Sequence, residues 1–188
     1  GIVEGVMGLF DGANPSDDQG STMEIARWLK WPVLLVVDAS HAARSIVPAI
    51  RGIIDAAGPG TIAGLILNRL GSEGHGTYLQ KACAELEIPV RGMLPKIQEL
   101  EWSERHLGLQ ASQETKFPEV QRMAEIAEKR LDLSGIVNLI DVPDPEIDHI
   151  PKEEHEKGLK KRIGVAKDEA FHFYYHSNLE WLKRSGAE

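Results

Sequence analysis

The chain has 188 residues, and 42% hydrophobic against 27% charged residues is the balance of a folded protein with one core of ordinary domain size and some chain to spare. A formal charge of -8 repels polyanions, which excludes nucleic acid and anionic membrane as main partners unless a local basic face overrides the net field. No stretch has the apolar length that spans a bilayer, nothing reads as a signal sequence, and the single Cys83 cannot close an internal disulfide, so a reducing, cytoplasmic setting is expected.

The first twelve residues, Gly1-Ile2-Val3-Glu4-Gly5-Val6-Met7-Gly8-Leu9-Phe10-Asp11-Gly12, set two carboxylates and several glycines directly after a short apolar stub. Glycines let a ligand approach the backbone, and Glu4 and Asp11 are hard oxygen donors of the kind Mg²⁺ prefers, so the loop reads either as a phosphate and metal site or as a Gly-rich turn. Ile2 and Val3 read as the end of a strand with nothing ahead of them. No G-x-x-x-x-G-K-[ST] motif occurs in the 188 residues, and a fragment of a longer protein is expected.

Helix-period segments then alternate with β-branched apolar runs, the pattern of an α/β protein whose parallel sheet is covered on both faces. A helix is predicted over 20–30, where Ser21-Thr22-Met23-Glu24 matches the S-x-x-E capping box and Ile25, Ala26 and Leu29 mark its apolar stripe. A fully buried central strand is predicted over 32–38, ending in Asp38, and a helix over 42–56. After the Gly58-Pro59-Gly60 break a buried strand over 62–68 ends in polar Asn68 and Arg69. A helix over 78–86, a short strand over 89–93 and an amphipathic helix over 118–131 follow, the last with Val120, Met123, Ile126 and Ala127 inward.

From Asp141 the texture changes to acidic, proline-broken and then densely charged sequence, which reads as a linker over 141–161. Beyond it a strand is predicted over 162–168, an aromatic patch over 171–175 and a helix start over 178–183. One strand and one helix cannot make a core, so residues 162–188 are expected to pack on something else. His172 and His176 stand four apart, a metal-compatible helical spacing, but the intervening Phe-Tyr-Tyr reads as irregular.

Ligands of open parallel sheets bind outside the carboxyl ends of the strands. Four polar clusters fall there: Glu4 to Asp11, Asp38 to Arg44, Asn68 to His75, and Leu94 to Lys96 with Pro95 between. They are expected to share one crevice. Ser21 and Thr22 open a helix, where hydroxyls either cap free N–H groups or accompany a bound anion. Arg44 can pair with a carboxylate or phosphate, or structurally with Asp38.

The stretches Val3 to Gly12, Gly20-Ser21-Thr22-Met23-Glu24-Ile25-Ala26-Arg27, Asp38-Ala39-Ser40 with Ala43-Arg44-Ser45, Gly64-Leu65-Ile66-Leu67-Asn68-Arg69, and Arg105-His106-Leu107-Gly108-Leu109 together resemble the cobyrinic acid a,c-diamide synthase family. So do Val165 to Phe171, Phe173-Tyr174-Tyr175 and Asn178-Leu179, and the likeness runs nearly end to end. It implies a P-loop NTPase-like, dethiobiotin-synthetase-like sheet lacking its P-loop unit. Residues 1–140 would be the later part of an ATP-dependent synthetase domain, 141–161 the linker, and 162–188 the opening of a truncated glutamine amidotransferase domain.

The activity implied is an ATP- and glutamine-dependent amidoligase of cobalamin biosynthesis, with cobyrinic acid as corrinoid substrate and an acyl phosphate intermediate. Glu4 would hold Mg²⁺ and act with Asp11 in catalysis. Gly5, Gly8, Asn68, Arg69 and Pro95 would bind ATP, with Asn68 at the adenine edge. Met7, Ser21, Thr22, Asp38, Arg44, Arg105 and His106 would face the substrate, and Arg105 with His106 reads equally as contact to a second subunit of a homodimer. The nucleophilic cysteine of the amidotransferase has no match, since Cys83 lies in the synthetase part. A hydrogenobyrinic acid or nickel-sirohydrochlorin amidase would share these motifs, and a non-catalytic scaffold fits the missing P-loop. A Rossmann dehydrogenase does not, because no G-x-G-x-x-G follows a strand.

Overall fold

Three β-branched runs form the parallel sheet: β1 (Val33–Asp38), β2 (Ile62–Leu70) and β3 (Val90–Pro95), in spatial order β1-β2-β3. The structure is a computed structural model that describes residues 1–97, 117–140, 161–168, 171 and 174–188. The chain divides into two units, Gly1–Glu101 with Pro118–Pro145, and Trp102–Phe117 with Glu146–Glu188.

In the first unit the register Leu35↔Leu65 and Val37↔Leu67 aligns the inward residues of β1 and β2 on one face, because side chains alternate along a strand. That face packs with α1 (Thr22–Leu29), α2 (Ile46–Ala57) and α3 (Glu73–Cys83) into one core containing Met23, Val47, Ile50, Leu65, Leu67 and Leu79. All six are essentially sealed from water, each stabilising the fold by about 1.5–3 kcal/mol. The other face carries Ile66 and Gly92. There the Leu131 side chain fills the space a Cβ on Gly92 would need, and Arg91 pairs with Asp132 at 2.6 Å. Leu131 lies between α4 (Phe117–Arg130) and α5 (Leu133–Ile140), and α5 packs against β3, so helices flank both faces.

The α/β class and parallel pairing follow the sequence reading. Several details differ. The central strand is β2; β1 lies at the sheet edge with Val36 exposed, because no further strand pairs with it among the described residues. Ile2 and Val3 form no strand and are exposed. α2 starts at Ile46, the residues before it being turns. α3 begins at Glu73 because the Ser72 Oγ accepts from the His75 N–H at 3.1 Å, a cap strong enough to start the helix across Gly74 and Gly76; a 3-10 turn over Ala84–Leu86 ends it. On α4, Met123, Ile126 and Ala127 are half-buried, whereas Val120 is exposed.

In the second unit, α6 (His176–Arg184) ends before Gly186. The strand expected over 162–168 is absent. Just before it a parallel bridge joins Lys161 to Ala187, and the Tyr174 hydroxyl donates to the Ala166 carbonyl at 2.7 Å.

Candidate functional site

The carboxyl ends of the three strands are tied to one another. Beyond β1 the Ala39 N–H donates to the Asn68 carbonyl at 2.8 Å, and beyond β3 the Lys96 N–H donates to the Leu70 carbonyl at 2.9 Å. The His75 ring bridges two loops, with Nε2 2.7 Å from the Ala42 carbonyl and Nδ1 accepting from the Gly71 N–H at 3.3 Å. A neutral ring with its proton on Nε2 satisfies both partners. Three of the four polar clusters thus meet along one edge, as the topology requires.

At that edge Asp38 pairs with Arg69 at 3.0 Å, and its other oxygen accepts from the Ser40 N–H at 2.9 Å. The Ser40 backbone contact, with further help from the Ser40 hydroxyl and the Arg69 guanidinium, holds the Asp38 carboxyl below its ordinary range. Asp38 therefore pairs with Arg69 and not with Arg44, which reaches Glu85 at 3.4 Å instead. Asn68 Oδ1 accepts from the Arg69 N–H at 2.9 Å, and Pro95 closes β3 opposite Leu70.

The fourth cluster lies across a trough of about 970 Å³ that borders the whole of β1. Glu4, Gly5, Met7, Gly8, Asp11 and Thr22 line it together with Asp38; its apolar wall includes Ile25 and Leu29 of α1, Leu34 and Val36 of β1, and Ile136 and Ile140 of α5. Glu4 and Met7 are exposed, while Asp11 Oδ2 accepts from the Gly8 N–H at 2.9 Å and so shapes its own loop. A Cβ on Gly5 would stand 2.5 Å from the Thr22 Oγ1, which makes the close approach of the loop to α1 dependent on glycine. Gly12 is equally constrained, since a Cβ there would collide with the Gln19 carbonyl.

Ser21 is buried beneath this loop and its Oγ accepts from the Glu24 N–H at 3.1 Å, while the Glu24 carboxylate accepts from the Gly20 N–H at 2.7 Å. The Met23 N–H donates to the Leu9 carbonyl at 2.9 Å and the Ile25 N–H to the Ser21 carbonyl at 3.4 Å. The start of α1 thus spends donors on the protein itself and holds the loop down; Thr22 alone of the pair lines the trough. Arg105, His106 and His172 lie outside the described residues.

Among the described residues no three His, Cys, Asp or Glu side chains gather into a metal cage. One or two carboxylates are nevertheless what Mg²⁺ takes from protein when phosphate oxygens and water complete its shell, and Glu4 with Asp11 fits that donor set. Cys83 is buried and desolvation raises its pKa, the opposite of a reactive thiol. The residues that sequence reasoning missed are those of α5, although Leu133, Ile136, Val137 and Ile140 follow helical spacing, and His75 as a loop tie, which no local signal marks.

No family model matches the sequence, and no solved structure matches it. Curated relatives do. The chain is 41% identical over 194 residues to a cobyrinate a,c-diamide synthase of Syntrophotalea carbinolica, 40% identical over 190 residues to one of Leptospira interrogans, and 41% identical over 191 residues to one of Priestia megaterium. Each alignment takes in 99–100% of the chain but 41% of the relative, so the chain spans about two fifths of the length of the proteins it matches. Identity of about 40% over nearly the whole of this chain makes it a homologue of the cobyrinate a,c-diamide synthases along the stretch of them that it covers.

Proposed function

We propose that the chain is part of an ATP- and glutamine-dependent amidoligase that converts acetate side chains of cobyrinic acid to amides in cytoplasmic cobalamin biosynthesis. The observation that carries this is the 40–41% identity with synthases of that name over the whole chain. On this reading residues 1–140 belong to the synthetase domain, 141–161 to a linker and 162–188 to the start of a glutamine amidotransferase domain.

The chemistry needs a corrinoid carboxylate held in line with the γ-phosphoryl group of ATP, transfer to give an acyl phosphate, and attack by ammonia taken from glutamine. The trough supports this because carboxylates and an apolar wall line it together, which suits a charged reacting group on a large ring. Glu4 and Asp11 would hold Mg²⁺, which supplies charge neutralisation at the phosphates when bound. Gly5 and Gly8 would let those phosphates lie against the backbone. Met7, Thr22 and Arg44 would meet the corrinoid, and Asn68, Arg69 and Pro95 the nucleotide, at the edge where the strand ends are tied together. The open edge of β1, along the trough, would receive the P-loop unit of the family.

The test is amidation of cobyrinic acid, with ATP, Mg²⁺ and glutamine, by the product of the complete open reading frame beside the 188-residue chain. Glu4→Gln and Asp11→Asn are each expected to lower kcat on the order of 10²–10³-fold, the usual cost of losing one preorganised electrostatic contact. Full activity in both variants, or no cobyrinate-dependent ATP turnover in the wild-type product, would overturn the reading.

A further inference from the structure

The central strand does not end smoothly. The β2–β3 ladder shifts register between Leu67 and Leu70, so Asn68 and Arg69 bulge from it, and Arg69 takes a left-handed backbone at φ 60. A side chain with Cβ is disfavoured there, and such a residue persists only where its surroundings over-determine it. Here they do so from two sides. Asn68 Oδ1 accepts the Arg69 N–H, and Asp38, across the β1–β2 pairing opposite Asn68, holds the Arg69 guanidinium at 3.0 Å.

Two consequences follow from the donors. Because the Arg69 N–H needs an acceptor, the carboxamide of Asn68 is fixed with its oxygen toward Arg69, and Nδ2 has no partner among the described residues. Asp38, by contrast, has both oxygens engaged, one by Ser40 and one by Arg69. We infer that Asp38 is a positioning residue that locks the bulged Asn68–Arg69 step, so that the Asn68 carboxamide donor and the Arg69 guanidinium together address the nucleotide, and that Asp38 does not itself contact the corrinoid. This donor pair suits ring-nitrogen or carbonyl acceptors and phosphate; that the ligand is a nucleotide, and ATP in particular, rests on the proposed function.

The test has a structural arm on the 188-residue chain and a binding arm on the product of the complete open reading frame. Amide exchange at Arg69 and Ala39 is expected to quicken about tenfold in Asp38→Ala, less in Asp38→Asn, which keeps the acceptor for Ser40, with far-UV circular dichroism unchanged. ATP titrated onto that product should bind about tenfold more weakly in Asp38→Ala and in Arg69→Ala, and no more weakly in the double variant, the non-additivity of residues acting as one. Unchanged exchange in Asp38→Ala overturns the inference, as do additive losses, or Asp38→Ala weakening cobyrinic acid binding while sparing ATP. A wild-type product of the complete open reading frame that binds no ATP would remove the nucleotide reading, and the exchange comparison would still decide the role of Asp38.

Discussion

Replacing Ser21 by Ala separates its two roles, cap and ligand. Ser21 is 1% exposed and its Oγ accepts the Glu24 N–H at 3.1 Å, so the substitution removes one N-cap contact and leaves a part-buried donor. An N-cap loss costs about 1 kcal/mol, and incomplete access of water to the orphaned N–H raises this toward about 2 kcal/mol. For a chain of this size that lowers Tm by roughly 2–4 °C per kcal/mol. Urea unfolding should therefore show a lower midpoint at unchanged m-value, Ser21→Thr should recover most of the loss, and affinity for cobyrinic acid should change little in the folded protein. A Ser21→Ala variant with wild-type stability and lost corrinoid binding would refute the capping argument and make Ser21 a ligand.

Three further outcomes follow from particular groups. Cys83 is sealed and its thiol pushed up by desolvation, so labelling by a disulfide reagent at pH 8 should be negligible in the native chain and complete in denaturant; fast native labelling would show that the α3 side of the core opens. The β1 edge presents unpaired backbone groups beside Val36, 56% exposed, so the isolated chain should self-associate with rising concentration, and Val36→Lys should suppress this in sedimentation velocity; a wild-type monomer at all concentrations would contradict it. The Asp38 carboxyl titrates lower in the folded than in the unfolded chain, so its stabilisation is present above the ordinary value of about 3.9 and is lost as pH falls through the depressed one. Both partners are more than half exposed, which keeps this below about 1 kcal/mol, and wild type and Asp38→Asn should converge in stability only in that acid range.

The sheet was legible because its strands are apolar β-branched runs bounded by Gly and Pro, and α1 because its capping box is local. What could not be read were relations between elements. That β1 is an edge strand depends on which strands pair with it, and its run Val33 to Val37 is as apolar as the buried run of β2. That Asp38 meets Arg69 rather than Arg44 depends on register, since Asp38 lies opposite Asn68 and the bulge then swings Arg69 across. α5 was hidden by brevity: eight residues with Gly135 among them give a weak signal, and the segment is fixed by tertiary contacts, the Arg91–Asp132 pair and the Asp132 cap on the Gly135 N–H at 2.9 Å.

The two sides of the trough are built differently, and this orders their contributions to binding. On the sheet side Asp38 lines the trough and is cross-linked by hydrogen bonds to Arg69 and Ser40, so whatever it contacts meets a group already in place. On the loop side, residues 1–7 make no hydrogen bond to the described residues, and among these Gly1 lies against the Trp31 ring and Gly5 against Thr22. Fixing Glu4 over a ligand therefore spends part of the interaction energy on ordering backbone, of the order of 1–2 kcal/mol for each residue immobilised. Asp11 escapes most of that cost, because its own contact to the Gly8 N–H already closes the turn. It follows that stiffening residues 1–7 should tighten ligand binding without any new contact, and that the gain should vanish in Glu4→Gln if the ordering serves that carboxylate.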